Sequence, residues 1–103
     1  MILDLEVRLA QLAASGSTTS YGTLARDLGL TGPATIARLT TMLEAMMEAD
    51  VAAGQPLRAA LVNARGGDLP APGFFAKAAA LGIVMADPAA FVAQQRQALA
   101  EKS

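Results

Sequence analysis

The sequence has no cysteine, no histidine and no tryptophan among its 103 residues. Without cysteine there is no thiol nucleophile and no disulfide. Without histidine the sequence also lacks the usual general base near neutral pH and the side chain that most often accompanies cysteine in zinc sites. No Gly-rich phosphate-binding loop and no supported pair of catalytic carboxylates stands in their place, and Gly66-Gly67 alone is not such a motif. We therefore expect no enzyme, no metal site and no cofactor.

Charge of one sign and long apolar runs are also missing. The net charge is −1, and no segment approaches the roughly 18 consecutive apolar residues of a membrane span. Asp4 and Glu6 stand where a secretory signal would carry positive charge. These features predict a cytoplasmic protein that does not bind membranes. The lack of a basic excess counts against nucleic-acid binding.

Apolar residues are abundant, at 53% of the chain, and many of them are alanine. Alanine has the highest helix propensity, so this composition favours closely packed helices. A chain of this length fits a single domain, which we assign to residues 1–103. Residues 2–14 are predicted to form the first helix, because apolar residues recur there at three- and four-residue steps. The residues of that face are Ile2, Leu5, Leu9 and Leu12.

The stretch TTSYGTLARDLGL, followed by TGP, predicts a helix-turn-helix over about residues 19–53. Thr19 or Ser20 can cap a short helix from Tyr21 to about Leu28, and Pro33 suits the first position of a long helix that ends near residue 53. The long helix has an apolar stripe of Ile36, Leu39, Leu43, Met46 and Met47. Together with Met42, its methionines suit either a core or an adaptable partner surface.

The stretch LVNARGGDLPAPGFF, residues 61–75, predicts a wing over about residues 57–70. Residues 57–64 are expected to form a strand, and residues 65–68 the turn. Pro70 and Pro72 cannot donate to a ladder, so the return strand must be short. Helices follow at about residues 73–81 and 87–101, the second with Asp87 as its cap and Pro88 at its first position. The predicted fold is mainly α: a winged-helix-like helix-turn-helix with a short β-ribbon and two C-terminal helices.

Residues 17–67 resemble the DNA-binding domain of the alkylguanine-DNA alkyltransferases and of the alkyltransferase-like proteins. The resemblance lies in TTSYGTLARDLGL, the long helix after it, and LVNARGG. It implies that Tyr21 lies near the DNA backbone. The family's Pro-Cys-His-Arg motif is absent, with Pro56-Leu57-Arg58 nearest in position, so alkyl transfer is excluded. The segment LPAPGFF resembles one in uncharacterised bacterial proteins, which implies no function.

The long helix offers polar side chains for reading DNA bases. In a helix-turn-helix the N-terminal part of the second helix enters the major groove. Here that part carries Thr35, Arg38 and Thr41, of which the arginine could pair with guanine. The same residues also suit an ordinary solvent face. Glu44, Glu48 and Asp50 give this helix a net charge of −2 with Arg38, which would repel phosphates.

Contacts to the sugar-phosphate backbone are predicted outside the long helix. The candidates are Tyr21, Arg26 and Arg65, with Arg58 as a further phosphate contact. Asn63 is also a candidate for nucleic acid, although an Asn before a turn commonly bonds nearby backbone. An arginine in a turn is commonly just solvated, and Asp68 stands close enough in sequence to offset Arg65.

Two functions stay open at this point. One is a non-catalytic DNA-binding or regulatory module, as in transcription regulation, with double-stranded DNA as its partner. The other is a protein-interaction or homodimerisation module without nucleic acid, which uses the Met-rich helix or the last helix. They predict different surfaces. DNA binding requires the arginines to gather on one face, whereas the alternative expects them among acids beside an exposed apolar patch.

Overall fold

Helices make up most of the fold. The computed structural model describes residues 2–102, and their side chains from residue 4 onward. Within this range the helices are α1 Ile2–Ser15, α2 Tyr21–Asp27, α3 Thr35–Ala52, α4 Pro72–Ala80 and α5 Pro88–Lys102. The mainly α prediction is thus confirmed, and the five helix ends lie within two residues of their predicted positions. The predicted inward contact of Ile2 lies outside the described side chains.

Two helix starts have the caps that the sequence predicts. The Ser20 hydroxyl accepts a hydrogen bond of 3.1 Å from the Thr23 amide and so satisfies one of the free N–H groups of α2. The Asp87 carboxylate accepts 3.1 and 3.2 Å bonds from the amides of Ala89 and Ala90 at the start of α5. Because these caps are local, short-range sequence patterns are enough to find them.

The connection between α2 and α3 is longer than the sequence predicts. It spans residues 28–34, whereas a turn of three or four residues was expected. Pro33 does not begin α3, because Ala34 takes a left-handed φ of 61° and the helix starts only at Thr35. Gly29 and Gly32, with φ of 73° and 89°, are the other left-handed residues of this connection.

The predicted wing differs most from the structure. Arg58–Leu61 form a single turn of 3-10 helix, and only Val62–Asn63, β2, is extended. In the described part of the chain β2 pairs in parallel with Thr19–Ser20, β1, and not with a return strand. The prediction of a strand over residues 57–64 was therefore wrong for most of its length. Alanine is a poor strand former, and the alanines of the 3-10 turn are instead buried in the core.

The core lies where α1, α3 and α5 meet this 3-10 turn. Its most deeply buried large side chains are Leu5, Leu9, Leu24, Leu39, Met47, Leu57, Val62 and Val92. Met46 is also buried, and Met42 packs against the cluster. The methionines of α3 therefore fill the core, which is one of the two roles left open for them. No helix in residues 2–102 combines the length and apolar character needed to cross a bilayer.

One buried side chain is charged. Asp50, only 4% exposed, accepts hydrogen bonds of 3.0 and 3.1 Å from Arg58 Nε and another of 3.0 Å from the Arg58 amide. Glu6 lies 3.5 Å from the same guanidinium. Burial lowers the pKa of Arg58, but the bonds and charge of Asp50, helped by Glu6, outweigh it and the pKa is raised.

This ion pair changes the expected electrostatics of α3. Asp50 was grouped with the acids that would face phosphates, but it lies in the core and is matched by Arg58. Arg58, a candidate phosphate contact, is held by carboxylates on two helices. Glu48 is paired with Lys77 at 2.6 Å. Glu44 is therefore the one acid of α3 that forms no ion pair within the described residues.

Candidate nucleic-acid interface

The side chains predicted to touch the DNA backbone converge on one cleft. It has a volume of about 760 Å³ and lies between the start of α2 and the turn that follows β2. Tyr21, Arg26 and Arg65 all line it. The remaining lining residues are Ser20, Gly22, Thr23, Ile36, Ala64, Gly66 and Ala71. No carboxylate is among these lining residues, so the formal charges of the cleft wall are those of two arginines.

The parallel strand pair sets the two walls of the cleft beside each other. In its register Thr19 lies opposite Val62 and Ser20 lies opposite Asn63. On one strand the chain continues directly into α2, and on the other it continues into residues 64–69, a turn closed by a 2.8 Å bond from the Ala64 amide to the Leu69 carbonyl. Two segments more than 40 residues apart in sequence thus face one opening.

Arg26 and Arg65 are free of acidic partners within the described residues. Arg26 donates a 3.4 Å bond to the Thr23 hydroxyl, and its neighbour Asp27 is paired instead with Arg8 at 3.3 Å. Asp68, expected to offset Arg65, forms no ion pair with it in residues 2–102. Both arginines are exposed, so each guanidinium is accessible to a ligand.

Tyr21 forms the aromatic part of the cleft. Its side chain is half-buried between the cleft and a smaller cavity lined by Glu44 and Phe74. Burial raises the pKa of its hydroxyl above 10.0; a backbone hydrogen bond from Ala71 opposes this rise and the charge of Glu44 adds to it. The hydroxyl is therefore protonated over the whole physiological range and can donate a hydrogen bond.

This pKa can be measured directly, because Tyr21 is the single tyrosine of a chain without tryptophan. We expect phenolate absorbance in the folded protein to rise with a midpoint above 10.0, and at about 10 in denaturant. A group with a raised folded pKa contributes stability that is complete below its unfolded pKa. That contribution is lost as pH climbs from about 10 through the folded pKa. A folded-state midpoint at or below 10.0 would contradict this environment for Tyr21.

The residues predicted to read bases lie elsewhere. Thr35, Arg38 and Thr41 do not line the cleft. On the helical wheel Arg38 lies about 160° from Ile36, which does line it. The Thr35 and Thr41 hydroxyls donate to the carbonyls of Gly32 and Ala37, at 2.6 and 3.1 Å. Arg38 is exposed without an ion pair in residues 2–102, but it stands on the other flank of α3.

Asn63 is buried rather than presented to a ligand. Its amide nitrogen donates to the Thr18 hydroxyl at 3.2 Å, and its amide oxygen accepts from Arg96. With both ends engaged and only 8% of its surface exposed, Asn63 belongs to the support of the cleft. Its prediction as a nucleic-acid contact has no counterpart in this arrangement.

Sequence patterns missed two parts of the site. Ile36 was assigned to the core stripe of α3, yet it is 47% exposed and lines the cleft. Its place at the first turn of the helix, ahead of the buried run that starts at Leu39, could have indicated this. Arg96, which supports β2 from α5, carried no local signal, because its partners lie more than 30 residues away.

No cluster of acidic, cysteine or histidine side chains in the described part of the chain is suited to hold a metal ion. The cleft offers two guanidiniums and the hydroxyl groups of Tyr21 and Thr23. No protein-family model, no curated protein and no solved structure matches this sequence. The geometry of the cleft is thus the main support for a function.

Proposed function

We propose that the protein is a non-catalytic DNA-binding module that holds the sugar-phosphate backbone of a duplex in the Tyr21–Arg26–Arg65 cleft. The main support for this proposal is the division of the basic side chains into those paired with carboxylates and those that face the cleft. Of the eight basic residues, those with carboxylate partners within residues 2–102 are Arg8, Arg58 and Lys77. Two of the unpaired ones, Arg26 and Arg65, share a cleft without acids.

The neutral groups of the cleft suit the same ligand. Most hydrogen bonds between proteins and DNA go to phosphate and sugar oxygens, from arginine, Ser, Thr and Tyr side chains and from backbone N–H groups. Tyr21 and Thr23 supply the hydroxyls, while Ser20 donates its own proton to the Thr23 oxygen. Gly22 and Gly66 permit close approach to the main chain. The resemblance of residues 17–67 to a DNA-binding domain, which also assigns Tyr21 to the backbone, agrees with this proposal.

Two arginine contacts predict weak and moderately salt-dependent binding. Neutralising two phosphates corresponds to a slope of log K against log salt of about −1.8. We expect fluorescence anisotropy with a mixed-sequence duplex at low salt to give a Kd on the order of 10–100 μM, weakening about tenfold between 50 and 200 mM salt. No binding at 100 μM protein in low salt would overturn the proposed function.

The alternative of a protein-interaction module has lost support on the surfaces first considered for it. The methionines of α3 are in the core, and α5 packs on α1 and the 3-10 turn through Val92 and Leu99. The observation that still favours it is Val84, 95% exposed in the connection between α4 and α5. Light scattering tests the homodimer form of this alternative, because a clean monomer would count against self-association through this surface.

A further inference from the structure

We propose that Arg96 of α5 is a positioning residue that sets the spacing of the two cleft walls and thereby the affinity for DNA. This inference rests on the proposed function, but its structural part can be tested without a ligand. It assigns the C-terminal helix a role in the site although α5 contributes no lining residue to the cleft. Hydrogen bonds through Arg96, Asn63 and Thr18 connect α5 to both walls.

The first contacts are those of the Arg96 guanidinium. Its Nε donates a 2.8 Å bond to the Ala60 carbonyl in the 3-10 turn, and its Nη2 donates to the Asn63 side-chain oxygen at the end of β2. One planar guanidinium therefore binds both Ala60 and Asn63, the two ends of the residue 60–63 segment that leads into the residue 64–69 turn. Lysine cannot reproduce this, because its ammonium is a point charge without a fixed fork.

The next contact carries the connection across the strand pair. The side-chain nitrogen of Asn63 donates a 3.2 Å hydrogen bond to the hydroxyl of Thr18, the residue immediately before β1. β1 continues into Ser20 and α2, which carry one wall, and Asn63 continues into the turn with Arg65, which forms the other. Arg96 and Asn63 thus sit at the point from which the two walls diverge.

The electrostatics of Arg96 fit a positioning role. It forms no ion pair among the described residues, and burial lowers its pKa while the charge of Asp68 opposes that change. Asp68 belongs to the same turn as Arg65. The charge of Asp68 acts on Arg96, and Asp68 forms no ion pair with Arg65 in residues 2–102.

The adjacent residue of α5 provides a matched control. Gln95 accepts a 2.9 Å hydrogen bond from the Leu57 amide, so it also docks α5 onto the chain near the 3-10 turn. Leu57 lies at the opposite end of that turn from β2 and does not line the cleft. A purely structural role for α5 predicts similar effects for Gln95 and Arg96, whereas a positioning role separates them.

The test combines amide hydrogen exchange with duplex affinity for Arg96→Lys, Asn63→Ala and Gln95→Ala. The first two variants keep the positive charge, and both remove the link between Arg96 and Asn63. We expect each to speed exchange of the Ala64 and Gly67 amides about tenfold, the scale of one or two lost hydrogen bonds, and to weaken duplex binding about five- to tenfold. Gln95→Ala should do neither. The Ile83 amide, bonded to Ala78 at the end of α4, is the reference amide outside the cleft and outside the residue 64–69 turn.

The outcomes are separable. If the wild type fails to bind DNA, the proposed function falls, and the exchange rates alone decide on Arg96. If the Ala64, Gly67 and Ile83 amides speed up together in every variant, Arg96 only stabilises the fold and the inference is wrong. It is equally wrong if Arg96→Lys and Asn63→Ala leave both turn exchange and affinity at the wild-type values.

Discussion

Asp50→Ala is expected to lower the free energy of unfolding by about 3 kcal/mol, which corresponds to a fall in Tm of about 15 °C. The substitution leaves the Arg58 guanidinium partly buried without its main carboxylate and removes the acceptor of the Arg58 amide. We choose the low end for a broken buried pair because the Arg58 side chain is 29% exposed and Glu6 stays nearby. Urea unfolding followed by circular dichroism measures the change.

Glu48→Ala is the matched control for this effect. It removes an acid of the same helix whose partner is also a cation, Lys77, but the Glu48 side chain is 57% exposed. Exposed pairs contribute at most about 1 kcal/mol. The double variant Asp50→Ala/Arg58→Met should recover much of the loss, because no buried charge is then left alone. Equal losses for Asp50→Ala and Glu48→Ala would contradict the burial of this pair.

Replacing Arg26 and Arg65 together by alanine is expected to weaken duplex binding at low salt by more than about tenfold. Each arginine supplies one of the two phosphate contacts proposed for the cleft, and each is exposed without an acidic partner in residues 2–102. Their loss therefore removes charge from the ligand site and no contact from the core. Fluorescence anisotropy with the same mixed-sequence duplex as for the wild-type protein gives the Kd values.

Arg38→Ala is the control for this pair. It removes the same charge from another exposed arginine outside the cleft. We expect its Kd to change by less than about twofold, as for a charge that makes no phosphate contact. The free energy of unfolding of all these variants, measured with urea, should lie within about 0.5 kcal/mol of the wild-type value, because the changed residues are on the surface. A loss with Arg38→Ala as large as with the double variant would assign binding to the outer face of α3.

Local patterns in the sequence predicted the helices well. Ser20 and Asp87 could be recognised as caps because a cap depends on residues two or three positions away. Arg26 and Arg65 are predicted to contact the DNA backbone from their positions in and after the helix-turn-helix pattern, and Tyr21 from the resemblance to the alkyltransferase DNA-binding domain. The structure brings these three together, but the route is a parallel strand pair rather than a wing.

The strand pairing itself could not be predicted. A strand of two residues has no alternation to detect, and its partner lies more than 40 residues upstream. The prolines correctly argued against a long return strand, but nothing local indicated that Val62 and Asn63 would pair with Thr19 and Ser20. Consequently the role of Asn63 as a support, and that of Arg96 behind it, were outside what a sequence pattern can show.

The burial of Asp50 is a different kind of miss. Leu39, Leu43 and Met46 lead to Asp50 at alternating steps of four, three and four residues, so the residue continues the core-facing stripe of α3. A charge at that position needs a buried partner, and Arg58 follows eight residues later. The spacing was visible in the sequence. Charge alone places Asp50 with Glu44 and Glu48, whereas its position in the apolar stripe predicts that it is buried.

The salt dependence of duplex binding, compared between three proteins, tests the cleft most directly. The account predicts a slope of log K against log salt of about −1.8 for the wild type and for Arg38→Ala, since both retain the two arginine contacts. For Arg26→Ala/Arg65→Ala it predicts a slope near zero. A double variant with the wild-type slope would show that the phosphates are held elsewhere on the molecule and would contradict the cleft as the DNA-binding site.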